Sequence, residues 1–480
     1  MGMVFYPFMT MELLMNLLRR WLCPVRCLML LLVLCCAAAA AKPPSPLPAE
    51  TRQTRFLALS DIHFDPFVSC GYTKPCPLIE KLRRAPSVQW AGIFAEFDTH
   101  PAKYGEDTNY PLLTSALAAS RHAAEKSGAK FVMVLGDSLG HNFRSDYKKY
   151  SGDTSYSGFQ AFTLKTFEFL TAQLVAAFPN LNIYIAVGNN DSYRGDYVTQ
   201  PGGSFFRDVS LLWSRLLSEP ADRKTMRAQF PRAGYYAVTL SGQRDLRLII
   251  LNTNLFSSKA KGQGISQAAR AELDWLHEQL LQAKNRGQHV LVAMHIPEGV
   301  DVYATLRTRL IRLISLWKNE YIQRFQAELS QFAPQISGIF AGHLHSDWFQ
   351  VLTFPNGHEV PVTGVPSISP VYGNNPGFKI YSYSNATLQI ADYTTYYFPL
   401  NGGQSWLREY DFKRTYAQNC HQCPVVDGMN RLRPRGILAD YYKSYYALQT
   451  KSQPITTQWN PYYWCAIHHV KPEDYMQCLN

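Results

Sequence analysis

A chain of 480 residues that is 46% hydrophobic and 17% charged has apolar content for a large core and is not an intrinsically disordered sequence. Its formal charge is +11, or +9 once the three arginines and one glutamate of residues 1–41 are set aside. That balance suits an anionic substrate or surface, but no basic run with interleaved aromatics and no nucleic-acid-binding motif accompanies it. In chain order, Arg19, Arg20 and Arg26 lead into an apolar stretch at 27–36 and then Ala37–Ala41. This is the layout of an export signal spanning 1–41, with secretion or delivery to a periplasm as the destination. The apolar run is shorter than the roughly 18 residues a membrane span needs, and no later segment is longer, so no transmembrane helix is expected after signal removal. Residues 42–55, rich in proline, read as a linker.

From residue 56 to about 400, short apolar runs alternate with helical periodicity, which predicts an α/β fold. Strands are expected at 56–59, 131–135, 183–187, 246–252, 290–294 and 339–341. Helices are expected at 112–126, 159–178, 268–283 and 301–333. Residues 66–110, rich in proline, glycine and aromatics, read as an extended loop over a site. Residues 347–400 read as strand-rich, and 401–480 as a cysteine-bearing extension. The chain beyond the signal keeps six cysteines: Cys70, Cys76, Cys420, Cys423, Cys465 and Cys478. An even count in an exported chain favours disulfides. Grouping along the sequence gives Cys70–Cys76 and Cys465–Cys478, with Cys420–Cys423 as the third. Links from 420 or 423 to 465 or 478 stay open.

Five motifs offer carboxylate, amide or imidazole donors just after predicted strands. They are Asp61-Ile62-His63, Gly136-Asp137, Gly188-Asn189-Asn190-Asp191, His295, and Gly342-His343-Leu344-His345. Strands that each end in a metal-binding side chain converge on one sheet edge, and two Asp, one Asn and four His suffice for two divalent cations. Order, spacing and strand context resemble the calcineurin-like metallophosphoesterases, whose pattern is D-x-H, G-D, G-N-H-D/E, H and G-H-x-H. The resemblance implies a four-layer αββα sandwich carrying, here, a C-terminal disulfide-bearing subdomain. It also implies that Asp61, His63, Asp137 and His345 hold one metal. Asp137, Asn189, His295 and His343 hold the second, with Asp137 shared and a metal-bridging hydroxide attacking phosphorus in line. Mixed nitrogen and oxygen donors fit zinc, with iron or manganese as alternatives.

The stretch Pro366-Ser-Ile-Ser-Pro370 followed by Asn374-Asn-Pro-Gly-Phe378 resembles acid sphingomyelinase-like phosphodiesterases, as do the cysteine pairs and His141 four residues after Asp137. No saposin domain precedes the first motif. Asn190 stands where the wider family has a histidine that protonates the leaving oxygen; an amide donates a hydrogen bond but delivers no proton. His141 is the expected replacement. The implied activity is phosphodiester hydrolysis. A polyphosphatase or nucleotide phosphatase of the same superfamily is the alternative, and a degenerate phosphate-ligand-binding protein is the alternative outside catalysis.

Overall fold

Strand β1 (Gln53–Leu59) forms on the Phe-Leu-Ala-Leu run, whose four side chains are all buried. A computed structural model describes residues 53–432 and 458–480, apart from positions 98, 241, 244, 310, 419, 421 and 422. The expected export signal and residues 42–52 lie outside the described residues. The last three residues of the expected linker are strand instead, because Gln53, Thr54 and Arg55 pair with Ser384, Tyr383 and Ser382.

β2 (Phe131–Val134) and β3 (Asn182–Ile185) run parallel to β1, and every residue in both is buried. Strands covered on both faces read as continuous apolar runs, which is why they stood out in the sequence. β10 (Gly377–Ser384), β11 (Ile390–Tyr397) and β12 (Leu407–Asp411) extend this sheet antiparallel on the other side of β1, giving the order β12-β11-β10-β1-β2-β3. The sheet therefore runs past residue 400. The second sheet comprises β4 (Tyr236–Thr239), β5 (Leu246–Ile250), β6 (His289–Ala293), β7 (Ile336–Ala341), β8 (Phe349–Thr353) and β9 (Glu359–Gly364), in the order β4-β5-β6-β7-β9-β8. Its central strands β5, β6, β7 and β9 are parallel, with antiparallel β4 and β8 at the edges.

The sheets meet face to face. Phe56 on β1 sits edge-on to Phe340 on β7, with centroids 5.3 Å apart, and Tyr381 on β10 donates to Thr363 Oγ1 on β9 at 2.9 Å. Outside the first sheet, helix Tyr110–Ser127 lies on β1 and β10, with helix Tyr156–Ala177 beside it. Helix Ile265–Asn285 covers β5 and β6, and Asn319–Phe332 packs on that helix. The architecture is thus the αββα sandwich. Asn109 caps the first of these helices by accepting from Leu112 N, and Gly128 ends it in the left-handed conformation.

Two further expectations are corrected. Residues 66–110 are not simply extended: helices Pro77–Arg84 and Trp90–Phe97 occupy much of the segment. Pro77 sits at the first helical position, where its missing N–H costs nothing, so it starts a helix rather than breaking one. Residues 301–333 are two helices, Val302–Arg307 and Asn319–Phe332. The chain turns between them to bury Trp317, whose Nε1 donates to Ile296 O at 3.0 Å. All three local disulfides are present: Cys70–Cys76, Cys420–Cys423 and Cys465–Cys478, the last joining helices Asn460–His468 and Pro472–Leu479.

Two buried titratable groups give stability predictions. Lys379 on β10 is fully buried; its Nζ donates to Asp347 Oδ1 at 2.6 Å and Gly364 O at 2.7 Å. Asp347 also accepts from Thr395 and Tyr410. Lys379→Met leaves Asp347 buried without its counter-charge, and a loss of about 3–5 kcal/mol in guanidinium unfolding is expected. An unchanged midpoint would contradict the pairing.

Glu272 accepts from Asn252 N at 2.6 Å, and burial pushes its carboxyl from 4.5 up to about 8. The folded protein keeps this proton when the unfolded chain has lost it. The stability present below about pH 4.5 is therefore lost progressively as pH rises to about 8. Glu272→Gln is expected to flatten that part of the pH–stability curve; curves that stay parallel with wild type would show that Glu272 titrates normally.

Candidate metal centre

The residues that follow five strand ends lie together: Asp61 and His63 after β1, Asp137 after β2, Asn189 after β3, His295 after β6, and His343 and His345 after β7. The first sheet gives four of the seven and the second gives three. Five of them, Asp61, His63, Asp137, His343 and His345, have positive φ between 43° and 71°. Left-handed backbone at a non-glycine residue costs about 1–3 kcal/mol and persists where surrounding bonds fix it. Here Asp61 N donates to Gly136 O, His63 N to Asp137 O, and His343 N to the Asp61 carboxylate. The motif glycines allow the close approach. A Cβ on Gly188 would lie 2.0 Å from Asp137 N, and one on Gly342 would lie 2.1 Å from Ser60 Oγ.

Donor chemistry at the centre fits cations. His63 Nδ1 donates to Leu139 O at 2.9 Å, and His295 Nδ1 to Leu135 O at 2.7 Å. In the neutral imidazoles this leaves both Nε2 atoms as lone-pair donors. His295 Nε2 faces Asn189 Oδ1 at 3.0 Å and Asp137 Oδ2 at 3.2 Å, so a bound cation would take the place of a proton among these three atoms. His63 Nε2 faces Asp137 Oδ2 at 3.4 Å, Asp61 Oδ1 at 3.7 Å and His345 Nε2 at 3.0 Å. Asn189 is turned by its own amide, which donates to Asp196 at 2.8 Å. His343 Nε2 lies 3.3 Å from the Tyr197 hydroxyl.

Electrostatics point the same way. Burial opposes charge on Asp61 and Asp137, yet the facing histidines hold both carboxyls below their usual range. Burial likewise disfavours a charged His63, but the nearby carboxylates of Asp137, Asp61 and Asp107 together outweigh it and raise that imidazole to about 10. His295 rises to about 9 for the same reason, whereas burial beside His295 pushes His343 down to about 3. Two buried carboxylates thus pull positive charge onto whatever lies between them, which is the environment of a cation.

Asn190 and His141 lie beside this centre. Asn190 N donates to Asp137 Oδ1 at 2.8 Å and its Nδ2 to Oδ2 at 2.9 Å, so the amide holds the carboxylate. The His141 ring stacks on His63 with centroids 4.1 Å apart. Its Nδ1 lies 3.1 Å from both Asp107 oxygens, its backbone N donates to Asp107 at 2.6 Å, and its Nε2 is 3.2 Å from the Tyr372 hydroxyl. Burial alone would raise the Asp107 pKa, but the His141 contact and the His63 charge bring it to about 2. The Pro366–Pro370 stretch has a part here, because Ser369 Oγ donates to Asp107 Oδ1 at 2.7 Å.

Sequence reasoning missed Asp107 and Tyr197, which sit in loops with no motif around them, and Tyr372, which lies inside the Pro366–Phe378 stretch but was given no role. It also passed over Asp191, whose carboxylate accepts from Ser138 N, Leu139 N and Gly188 N and ties two motif loops together. Its place in Gly-Asn-Asn-Asp was the available signal.

A sandwich with strand-end histidines and aspartates of this kind defines the calcineurin-like phosphoesterases. That family profile matches residues 54–347, and the chain belongs to this family of metal-dependent phosphoesterases. Relatives are acid sphingomyelinase-like phosphodiesterases. Sphingomyelinase phosphodiesterase D of Dictyostelium discoideum is 29% identical over 345 residues, 69% of this chain and 71% of the relative. The cyclic GMP-AMP phosphodiesterase SMPDL3A of Rattus norvegicus is 25% identical over 456 residues, 88% of this chain and 91% of the relative. Acid sphingomyelinase-like phosphodiesterase 3b of Mus musculus is 25% identical, covering 89% and 90%.

Proposed function

We propose that this protein is an exported phosphodiesterase that works with two divalent metal ions. The observation that carries the reading is the convergence of two Asp, one Asn and four His from five strand ends, with lone pairs and carboxylates facing inward. Asp61, His63 and His345 would hold one cation, Asn189, His295 and His343 the other, and Asp137 both. Zinc suits this donor set best, and iron or manganese would also suit it. When bound, such a pair supplies Lewis acidity to a phosphoryl group and lowers the pKa of water.

The protein's own groups divide the remaining work. Asn190 holds the Asp137 carboxylate in place. His141 donates a proton from Nε2 to the leaving oxygen, and Asp107 fixes its ring by accepting from Nδ1–H. The Asp–His geometry supports this role, because it leaves Nε2 on the side away from Asp107. Residues 1–41 would direct export, in keeping with the cysteine pairs.

The relatives named for sphingomyelin and cyclic GMP-AMP make those two substrates, nucleoside triphosphates and polyphosphate the panel to assay. Bound metal should be counted while bis-p-nitrophenyl phosphate is assayed. Two metals with turnover support the enzyme. A two-metal protein inert to every phosphoester in the panel would favour the binding-protein reading, which Asn190 motivates.

A further inference from the structure

Beside the candidate metal centre a cleft of about 500 Å³ is lined by His141 and Asn190. Its wall is the helix Phe143–Ser151, which presents Arg144 and Lys148 to the cleft one turn apart. Arg144 makes a 3.2 Å bond to Arg194 O and lies over the Phe159 ring; Lys148 is exposed. Among the described residues neither cation pairs with a carboxylate. The cleft's one carboxylate, Asp196, is already engaged, since it accepts from Asn189. A cavity lined both by residues of the candidate metal centre's rim, His141 and Asn190, and by two cations without a carboxylate partner suits a ligand with two anionic groups.

We propose that Arg144 and Lys148 form a second anion subsite that selects substrates carrying a further phosphoryl group beyond the scissile one. This inference rests on the phosphodiesterase reading and narrows its substrate class. A phosphate next to the scissile centre, or one sugar removed from it, gains Coulomb attraction and charge-assisted hydrogen bonds from both side chains. A cationic choline group entering the same cleft meets like charge and gains neither. The guanidinium is suited to grip two phosphate oxygens at once, while the lysine acts as a mobile point charge.

Two measurements test the subsite. The first compares thymidine 5′-(p-nitrophenyl phosphate) with its 3′-phosphorylated form, which shares the leaving group and adds one phosphate. Wild type should prefer the phosphorylated form in kcat/KM. In the Arg144→Ala/Lys148→Ala double variant that preference should shrink by about 10–100-fold, with the change mainly in KM. Equal preference in wild type, or a preference that survives the double substitution, overturns the proposal. If neither ester is cleaved, the phosphodiesterase reading itself fails.

The second measurement needs no turnover: calorimetric binding of methylenebisphosphonate against methylphosphonate to the metal-loaded protein, with metal content checked before and after. The bisphosphonate advantage should be lost in the double variant and should weaken with salt. An advantage of the same size in both proteins would refute the subsite.

Discussion

Asp137→Asn is expected to strip both metal positions and lower turnover by about 10³-fold or more, beyond the 10²–10³ that loss of one electrostatic donor costs. The carboxylate is the group the two halves of the centre share, within 3.4 Å of His63 and 3.2 Å of His295. Both its oxygens also accept from Asn190. An amide in its place removes the negative charge and turns an N–H₂ towards either another donor or an imidazole lone pair. Metal analysis with a steady-state assay reads both effects, and circular dichroism checks that the fold persists. Two bound metals and a near-normal rate would overturn the assignment.

The second large effect belongs to His141. His141→Ala is expected to lose about 10²–10⁴ in turnover on substrates with poor leaving groups, the range for general acid catalysis. An activated nitrophenyl ester needs little protonation, so its loss should be much smaller. Metal content should hold, because the ring stacks on His63, a proposed ligand, instead of replacing it. Asp107→Asn should reproduce part of the leaving-group dependence, since it weakens the bond that sets the ring's orientation. Asn190→His restores the commoner motif and should partly rescue His141→Ala. Equal losses on both substrate types would assign His141 to binding or structure.

How much of this could be read from the sequence varied with the physics involved. β1, β2 and β3 were visible because strands buried on both faces give unbroken apolar runs. Helices Tyr110–Ser127 and Ile265–Asn285 were visible because one face carries the apolar period. The helices at 77–84 and 90–97 were hidden by their prolines and aromatics, which serve there as helix starts and core. The seven motif residues announced themselves as metal-binding side chains just after apolar strands, with Asp137, Asn189 and His343 each following a glycine. Asp107 could not, because its importance lies in meeting His141 and Ser369 across 34 and 262 residues of chain. Asn190 was visible as a departure, but its contact with Asp137 is a matter of geometry alone.

The three disulfides close loops of 6, 3 and 13 residues, so each pins only its own neighbourhood and none links the two sheets. The candidate metal centre draws on both: its seven side chains come from the ends of β1, β2 and β3 in one sheet and β6 and β7 in the other. Bound cations would therefore act as a rivet through the sandwich, holding the layers at the edge where the loops open to solvent. Were the protein exported as proposed, its durability would then follow the local supply of metal more closely than the local redox state. A chelator would shorten its working life by loosening the layers, even where the disulfides stay intact.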